Sequence, residues 1–304
     1  MNEIYVEDTK DCSYTCAVLH GCKKAIERLQ IPRSTFYHLL EAGVIPPDVI
    51  VYVPLRKQAF YDGEKINKLA AERAKYLEEL QREPERLVLT VPNREDLEQL
   101  AEIDRMVFHE ETLIPPEEQM KRFAYNPECM QVLKDTKTNT ILGDITMSPL
   151  KHDVLEKLIK LEIDETQIKP EDYQPYSTKK PQDIYVITII ARPGLTETFY
   201  GGRLLHAGVN YLIELLEKGI MINRLYTVAT TEDGDRIARE LGFTPLPGER
   251  MNLEHEDFRR SYVLDLEAKG SKSKLVRKYL QHRRNLERRQ KRYKKQSNPA
   301  KAAR

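Results

Sequence analysis

The sequence predicts an α/β (α+β) protein of 304 residues, with a helical N-terminal segment, a mixed sheet flanked by helices, and a basic C-terminal helix. Three observations predict it. Apolar residues recur at helical spacing up to about Leu80, strand-like and helix-like segments alternate from Leu87, and basic residues dominate from Lys269. This length accommodates two domains, each with its own core. The predicted divisions are residues 1–83, 84–268 with an insert at 150–182, and 269–304.

Composition places the chain among soluble globular proteins, at 40% hydrophobic and 32% charged residues. No run of about 18 apolar residues occurs, so we expect no membrane partner. The N-terminal stretch MNEIYVEDTKDCSY is acidic and polar and lacks the apolar centre of a secretory signal. We therefore expect a cytoplasmic protein.

Four residues of metal-ligating type, Cys12, Cys16, His20 and Cys22, fall close together near the N-terminus. Structural zinc sites usually pair their ligands and separate the second pair widely from the first. Here all four fall within eleven residues that lead into a helix. Zinc stays open as an alternative, but we expect no metal and inert thiols.

Two short amphipathic helices open the ordered part of the N-terminal segment. Ala25, Ile26 and Leu29 lie at helical spacing on the first, and Phe36, Leu39 and Leu40 on the second, with a turn at Gln30-Ile31-Pro32 between them. This is helix-turn-helix spacing. The second helix is predicted to present outward the residue types that touch phosphates and base edges, namely Arg33, Ser34, Thr35, Tyr37 and His38.

A β-like run and a basic loop, Arg56-Lys57, follow before the next helix. Such a ribbon serves as a wing on the DNA backbone. PRSTFYHLLEAGVIP followed by FYDGEKINKLA resembles the winged helix-turn-helix of MerR-like regulators and excisionase-type proteins, over residues 20–80. The resemblance implies DNA as a partner. A small helical module for protein interaction or dimerisation is the alternative.

The central region alternates strands and helices. We predict strands at residues 87–91, 130–133, 141–147, 183–190, 224–229 and 260–266, and helices at 97–108, 116–125, 204–216 and 233–241. The strand Asp183-Ile-Tyr-Val-Ile-Thr-Ile-Ile190 is apolar enough to be central in the sheet. The insert carries a further helix, LKHDVLEKLIKLEI, and either caps a substrate site or forms a dimer contact.

Four local patterns in this order resemble the GNAT superfamily of N-acyltransferases, over about 180 residues. They are REDLEQLAEIDRMVF, ILGDITMSPL, GGRLLHAGVNYLIELL and RIARELGF. The resemblance implies a GNAT-like mixed sheet and transfer of an acyl group from acetyl-CoA, or a related acyl-CoA co-substrate, to an amine.

The family's phosphate turn, (Q/R)-x-x-G-x-(G/A), falls on Thr196, Phe199 and Gly201, so one of its three positions is kept. A glycine-rich turn that opens a helix directs N–H groups at a pyrophosphate. We predict a loop from Arg192 to Gly202. The acyl-CoA residues are predicted to be Ile189, Ile190, Ala191, Tyr200, Gly201, Gly202 and Arg203. A plain strand-to-helix turn is the alternative.

Ala238 stands where the family commonly has a tyrosine that protonates the departing thiolate, and Thr231 lies near the place of its asparagine. Glu110, Glu111 and Glu197 could act as the base, and the sequence does not choose among them. The alternative to an enzyme is therefore a regulator whose GNAT-like domain senses acyl-CoA or mediates dimerisation.

The C-terminal segment is strongly basic. Residues 269–304 carry a net charge of +14, and the remainder of the chain carries −13. Tyr279, Leu286 and Tyr293 repeat at seven residues and give a narrow apolar stripe. This density of charge favours nucleic acid without choice of sequence. The alternative is a solvated tail.

Overall fold

A computed structural model describes residues 3–6, 17–53, 56, 58–108, 113–247, 250–252 and 257–296. The chain divides into two compact units. The first unit comprises Met1–Val88, Lys134–Leu142 and Ala191–Gly201. The second unit comprises Leu89–Leu133, Gly143–Ile190 and Gly202–Arg304.

A small antiparallel sheet and three helices form the N-terminal part of the first unit. Its elements are β1 (Glu3–Val6), β2 (Ala17–Gly21), α1 (Cys22–Leu29), α2 (Arg33–Glu41), β3 (Ile50–Val51), β4 (Phe60–Asp62) and α3 (Gly63–Arg82). The strand order is β1-β2-β4-β3. Both short helices lie where the periodicity placed them, and Leu29, Phe36 and Leu39 are buried in one apolar cluster with Tyr61 and Ile66. Strands β1 and β2 were not expected from the sequence.

The start of α3 is fixed by local chemistry. The side chain of Asp62 accepts hydrogen bonds from the N–H groups of Glu64 and Lys65 and so satisfies two donors of the first turn. A Cβ atom on Gly63 would lie 2.4 Å from the carbonyl oxygen of Val18. Only glycine allows this approach of strand to helix.

A mixed sheet flanked by helices follows, as the sequence predicts. Its elements are β5 (Leu87–Thr90), α4 (Arg94–Val107), α5 (Pro116–Phe123), β6 (Met130–Asp135), β7 (Thr140–Ser148), α6 (His152–Ile159), β8 (Gln182–Ala191), α7 (Glu197–Glu217), β9 (Ile222–Ala229), α8 (Glu232–Leu241), β10 (Thr244–Pro245), β11 (Arg250–Asn252), β12 (Asp257–Asp265) and α9 (Lys274–Gln296). The strand order is β10-β12-β9-β8-β7-β6-β5, and β11 pairs with β12. β8 and β9 are parallel, and β9 and β12 are antiparallel.

Helix α9 is basic, as predicted, and its first turns belong to the core of the second unit. Val276 is buried and Tyr279 is only 1% exposed. The Tyr279 hydroxyl accepts from Ile222 N at 3.0 Å and donates to Ile222 O at 3.3 Å. The Ser273 hydroxyl donates to Leu241 O at 2.6 Å. The remainder of the described helix is more exposed. Among the described helices, none is both long and apolar enough to cross a bilayer.

Candidate functional site

A fork between two parallel strands, β8 and β9, interrupts the sheet of the second unit. Pairing of β8 with β9 runs from Gln182↔Ile222 to Tyr185↔Tyr226 and ends there, although both strands continue. The Thr227 hydroxyl donates to Val186 O at 3.0 Å at the point of divergence. Residues 186–190 of β8 therefore have an edge that β9 does not pair, and we call this opening the strand fork.

The strand fork opens into a cavity of about 590 Å³, within the size range of small-molecule sites. Strands, helices and the insert of the second unit line it. The lining is mainly apolar and includes Ile145, Met147, Ile187, Val209, Leu212 and Leu275. Its ionisable members include Asp104, Glu165 and Arg259. An apolar chamber with a few polar groups can hold and orient an organic ligand.

Gly208 of α7 also lines the cavity. A Cβ atom at this position would lie 2.3 Å from Ile145 Cδ1. A larger residue would push that side chain aside, so the glycine preserves the shape of this wall.

Glu165 is the candidate base of the cavity, although it was not among the residues expected from the sequence. It opens a short 3-10 turn within the insert, Glu165–Gln167, which the Asp164 side chain caps. The Tyr185 hydroxyl donates to Glu165 Oε1 at 2.6 Å. The Arg122 guanidinium donates to the carbonyl oxygens of Glu165 and Thr166, both at 3.1 Å. The carboxyl group is therefore held on a fixed turn.

Burial raises the pKa of Glu165 to about 7, against the opposing hydrogen bond from Tyr185. Arg259 and Arg122 lower it and Asp164 raises it, each less than burial does. A carboxyl group with this pKa exchanges a proton near neutral pH. No sequence motif marks Glu165, because its environment comes from residues distant in the chain.

Besides Glu165, a pair of interacting carboxyl groups, those of Asp104 and Asp144, lies near the cavity. Burial raises the pKa of Asp104, on α4, to about 6. Asp144, on β7, is fully buried, and burial followed by the charge of Asp104 raises its pKa well above the ordinary value. The Thr146 hydroxyl donates to Asp144 Oδ2 at 2.8 Å. Because the two carboxyl groups interact, charging one opposes charging the other.

The predicted acyl-CoA residues fall into both units. Ile189 lines the cavity and is 37% exposed, and Ile190 is buried beside it on β8. Ala191 is half-buried at the end of the same strand. Tyr200, in the first unit, is buried, and its hydroxyl donates to Tyr76 Oη at 3.0 Å. Of the seven predicted acyl-CoA residues, Ile189 lines the described cavity and the other six do not.

The predicted loop to Gly202 is wrong, because α7 begins at Glu197. Gly201, Gly202 and Arg203 are helical and do not form a turn before the helix. The N–H of Glu197 donates to Gly194 O, and those of Phe199 and Tyr200 donate to Thr196 O. Backbone carbonyl oxygens therefore already accept hydrogen bonds from three N–H groups at the start of α7.

The sequence left the catalytic residue open, and the structure describes three of the five positions considered. Ala238 lines the cavity and carries no proton to transfer, and Thr231 also lines it while capping α8. Glu197 begins α7 in the first unit. Glu110 and Glu111 lie outside the described residues.

The predicted DNA-contacting residues are partly exposed. Arg33, Ser34, Tyr37 and Arg56 are exposed and His38 is half-buried, while Lys57 lies outside the described residues. The Arg33 guanidinium lies 5.6 Å from the Tyr37 ring centroid.

Thr35 is 8% exposed, so its predicted outward orientation is wrong. It shares the buried face of α2 with Phe36 and Leu39, at helical spacing.

The cluster of possible zinc ligands is only partly described. Cys12 and Cys16 lie outside the described residues. Cys22 Sγ lies 3.2 Å from Tyr37 Oη. Within the ranges that the structure describes, no group of three or more His, Cys, Asp or Glu could hold a metal ion.

Comparison with known proteins finds no matching family model and no matching curated protein. Solved structures do match. Ard1 from Thermoplasma volcanium is 11% identical, with 59% of this chain and 97% of that chain covered and a TM-score of 0.40. The loading GNATL domain of CurA from Lyngbya majuscula is 15% identical, with 59% and 97% covered and a TM-score of 0.44. Naa50 of Arabidopsis thaliana, in complex with the bisubstrate analogue CoA-Ac-MVNAL, is 14% identical, with 59% and 99% covered and a TM-score of 0.38. These likenesses are distant, and nothing about the activity of this chain follows from them.

Proposed function

We propose that the second unit binds an acyl-CoA at the strand fork and transfers its acyl group to an amine. The observation that carries this proposal is the fork itself, which opens into a cavity with Glu165 on its wall. The resemblance of the sequence to GNAT N-acyltransferases supplies the identity of the acyl donor.

The fork suits an extended ligand that contains amide groups. An unpaired strand edge binds such a chain through main-chain hydrogen bonds, as in strand addition. The pantetheine arm of CoA carries amide groups along a flexible chain. Residues 187–190 offer N–H and C=O groups on the edge that β9 leaves, beyond the Val186 carbonyl that Thr227 already engages. The apolar lining beyond the fork accommodates an acyl group.

Glu165 supplies the base in this proposal. With a pKa of about 7, it is substantially ionised at neutral pH and still basic enough to accept a proton from an amine nucleophile. The amine nitrogen forms a bond to the thioester carbon as the carbon–sulfur bond breaks. The amine proton goes to Glu165, directly or through water. Ala238 provides no proton, so the departing thiolate takes one from solvent.

The test combines binding with turnover in the full chain. Calorimetry should detect acetyl-CoA binding, and thiol release should depend on an added amine. Glu165→Gln should lower thiol release by about 100-fold or more with little change in acetyl-CoA affinity. Glu162→Gln, an exposed position in the same insert, is the matched control. Absence of acetyl-CoA binding at millimolar concentration refutes the proposal.

A second candidate is a nucleic-acid-binding regulator that senses acyl-CoA without transferring the acyl group. Ala238 and the exposed basic side chains of α9, including Arg284, Arg288 and Arg289, favour it. Acetyl-CoA binding without thiol release to any amine would support this candidate over the enzyme.

The nucleic-acid part has its own test. Arg288→Ala with Arg289→Ala should weaken binding to a labelled duplex and reduce its salt dependence. Arg33→Ala tests the predicted recognition helix. If all these variants bind duplex as the wild type does at low salt, neither surface is a DNA-binding site. Sedimentation with and without acetyl-CoA tests whether a second copy of the chain is a partner.

A further inference from the structure

Buried side-chain oxygen atoms that lack hydrogen-bond partners lie at one side of the cavity. The Gln119 side chain hydrogen-bonds the Asp104 carboxylate, to which only its amide N–H can donate. Gln119 Oε1 is then left buried and, within the described residues, finds no partner. The same is true of Asp144 Oδ1. We call Asp104, Gln119 and Asp144 the oxygen corner.

The oxygen corner is buried and borders the cavity. Gln119 is only 8% exposed, and both it and Asp104 line the chamber. Asp144 is close enough for its charge to interact with that of Asp104. An unpartnered buried acceptor destabilises the empty protein, because it has lost its hydrogen bonds to water. Donors brought by a ligand would remove this penalty.

The chemistry of the corner selects a cation. Gln119 Oε1 can only accept hydrogen bonds, and Asp104, with a pKa of about 6, is mostly ionised at neutral pH, so a positively charged group with several N–H donors is complementary. The neighbouring wall consists of Val107, Phe108, Leu113 and Ile114, which suit an aliphatic chain. A hydrated inorganic ion gains nothing from that apolar wall. An alkylammonium group fits both features.

We infer that the amine acceptor is an alkyl diamine or longer polyamine, with one ammonium group bound at the oxygen corner and another amine free to react. The assignment of the second amine as acyl acceptor rests on the proposed function. Binding of the ammonium group at the corner does not, because it depends only on Asp104, Gln119 and Asp144.

The test compares 1,4-diaminobutane with 1-aminobutane, which differ by one ammonium group, by calorimetry without acyl-CoA. The full-length wild type should bind the diamine at least about tenfold more tightly. Asp104→Asn should remove this preference, and Gln119→Leu should reduce it. Asp153→Asn, an exposed position on α6, is the matched control and should keep it.

Several outcomes would overturn the inference: equal affinities in the wild type, a preference unchanged in Asp104→Asn, or displacement of the diamine by MgCl2 at constant ionic strength. If Asp104→Asn fails to fold, the wild-type comparison and Gln119→Leu still decide. Diamine preference without acetyl-CoA binding would overturn the proposed acyl transfer and leave an amine-binding site. Acetyl-CoA-dependent turnover without diamine preference would overturn this inference alone.

Discussion

Replacing Glu165 with glutamine should stabilise the protein above neutral pH. Its pKa is about 7 in the folded chain against 4.5 as the ordinary value, so the folded state binds the proton more tightly. That contribution is fully present below pH 4.5 and is lost as pH rises through 7. The difference corresponds to at most about 3 kcal/mol of unfolding free energy. Glutamine stays neutral and still accepts the hydrogen bond from Tyr185, so the variant avoids this loss.

The assay is urea denaturation at several pH values from 4.5 to 8. The unfolding free energy of Glu165→Gln should rise relative to the wild type by up to about 3 kcal/mol over that range. Glu162→Gln, which changes the same charge on the surface, should follow the wild type. Arg259, Arg122 and Asp164 remain in both proteins and do not alter the comparison. Parallel curves for the wild type and Glu165→Gln would refute the buried, proton-binding carboxyl group and with it the proposed base.

Three further predictions concern stability. Gly202→Ala should raise the unfolding free energy by about 1 kcal/mol, because Gly202 is helical and a Cβ atom there would meet nothing within 4 Å. A lower melting temperature in thermal denaturation would show that the helix needs glycine at this position. Asp135→Asn should lower the unfolding free energy by about 3 kcal/mol in urea titrations, because it removes the negative charge that pairs with the buried Arg86. The Arg86 guanidinium donates to the Asp135 carboxylate at 2.7–2.9 Å. A change below about 1 kcal/mol would contradict this prediction. Tyr279→Phe should cost about 1–2 kcal/mol, since both Ile222 hydrogen bonds are lost, and an unchanged melting temperature would argue against that anchor.

Local patterns predicted six of the eight strands that form the large sheet and missed the short strands β10 and β11. The apolar run from Asp183 to Ile190 is strand β8, and the leucines of GGRLLHAGVNYLIELL lie on helix α7. The same reasoning failed at Gly201-Gly202, since paired glycines are typical of turns. Here the helix extends one turn N-terminal to them, because Thr196 and Gly194 accept the hydrogen bonds of its first turn.

The candidate site depended on information that local patterns lack. Nothing in the amino-acid sequence of β8 and β9 indicates that their pairing stops at Tyr185 and Tyr226. Glu165 has the same charge as the nearby Glu162 and Asp164, and only burial and the hydroxyl of Tyr185, twenty residues away, distinguish it. The oxygen corner likewise joins α4, α5 and β7. Such juxtapositions are products of tertiary packing.

The burial of Tyr279 changes how the basic segment should be removed in an experiment. A truncation at Lys269, where the composition changes, would delete Val276 and Tyr279 from the core and Leu275 from the cavity wall. A loss of nucleic-acid binding or of acyl transfer in such a protein would then report misfolding as readily as missing charge. Charge-neutralising substitutions from Arg284 onwards keep the anchor intact. They separate the electrostatic role of the helix from its role in folding.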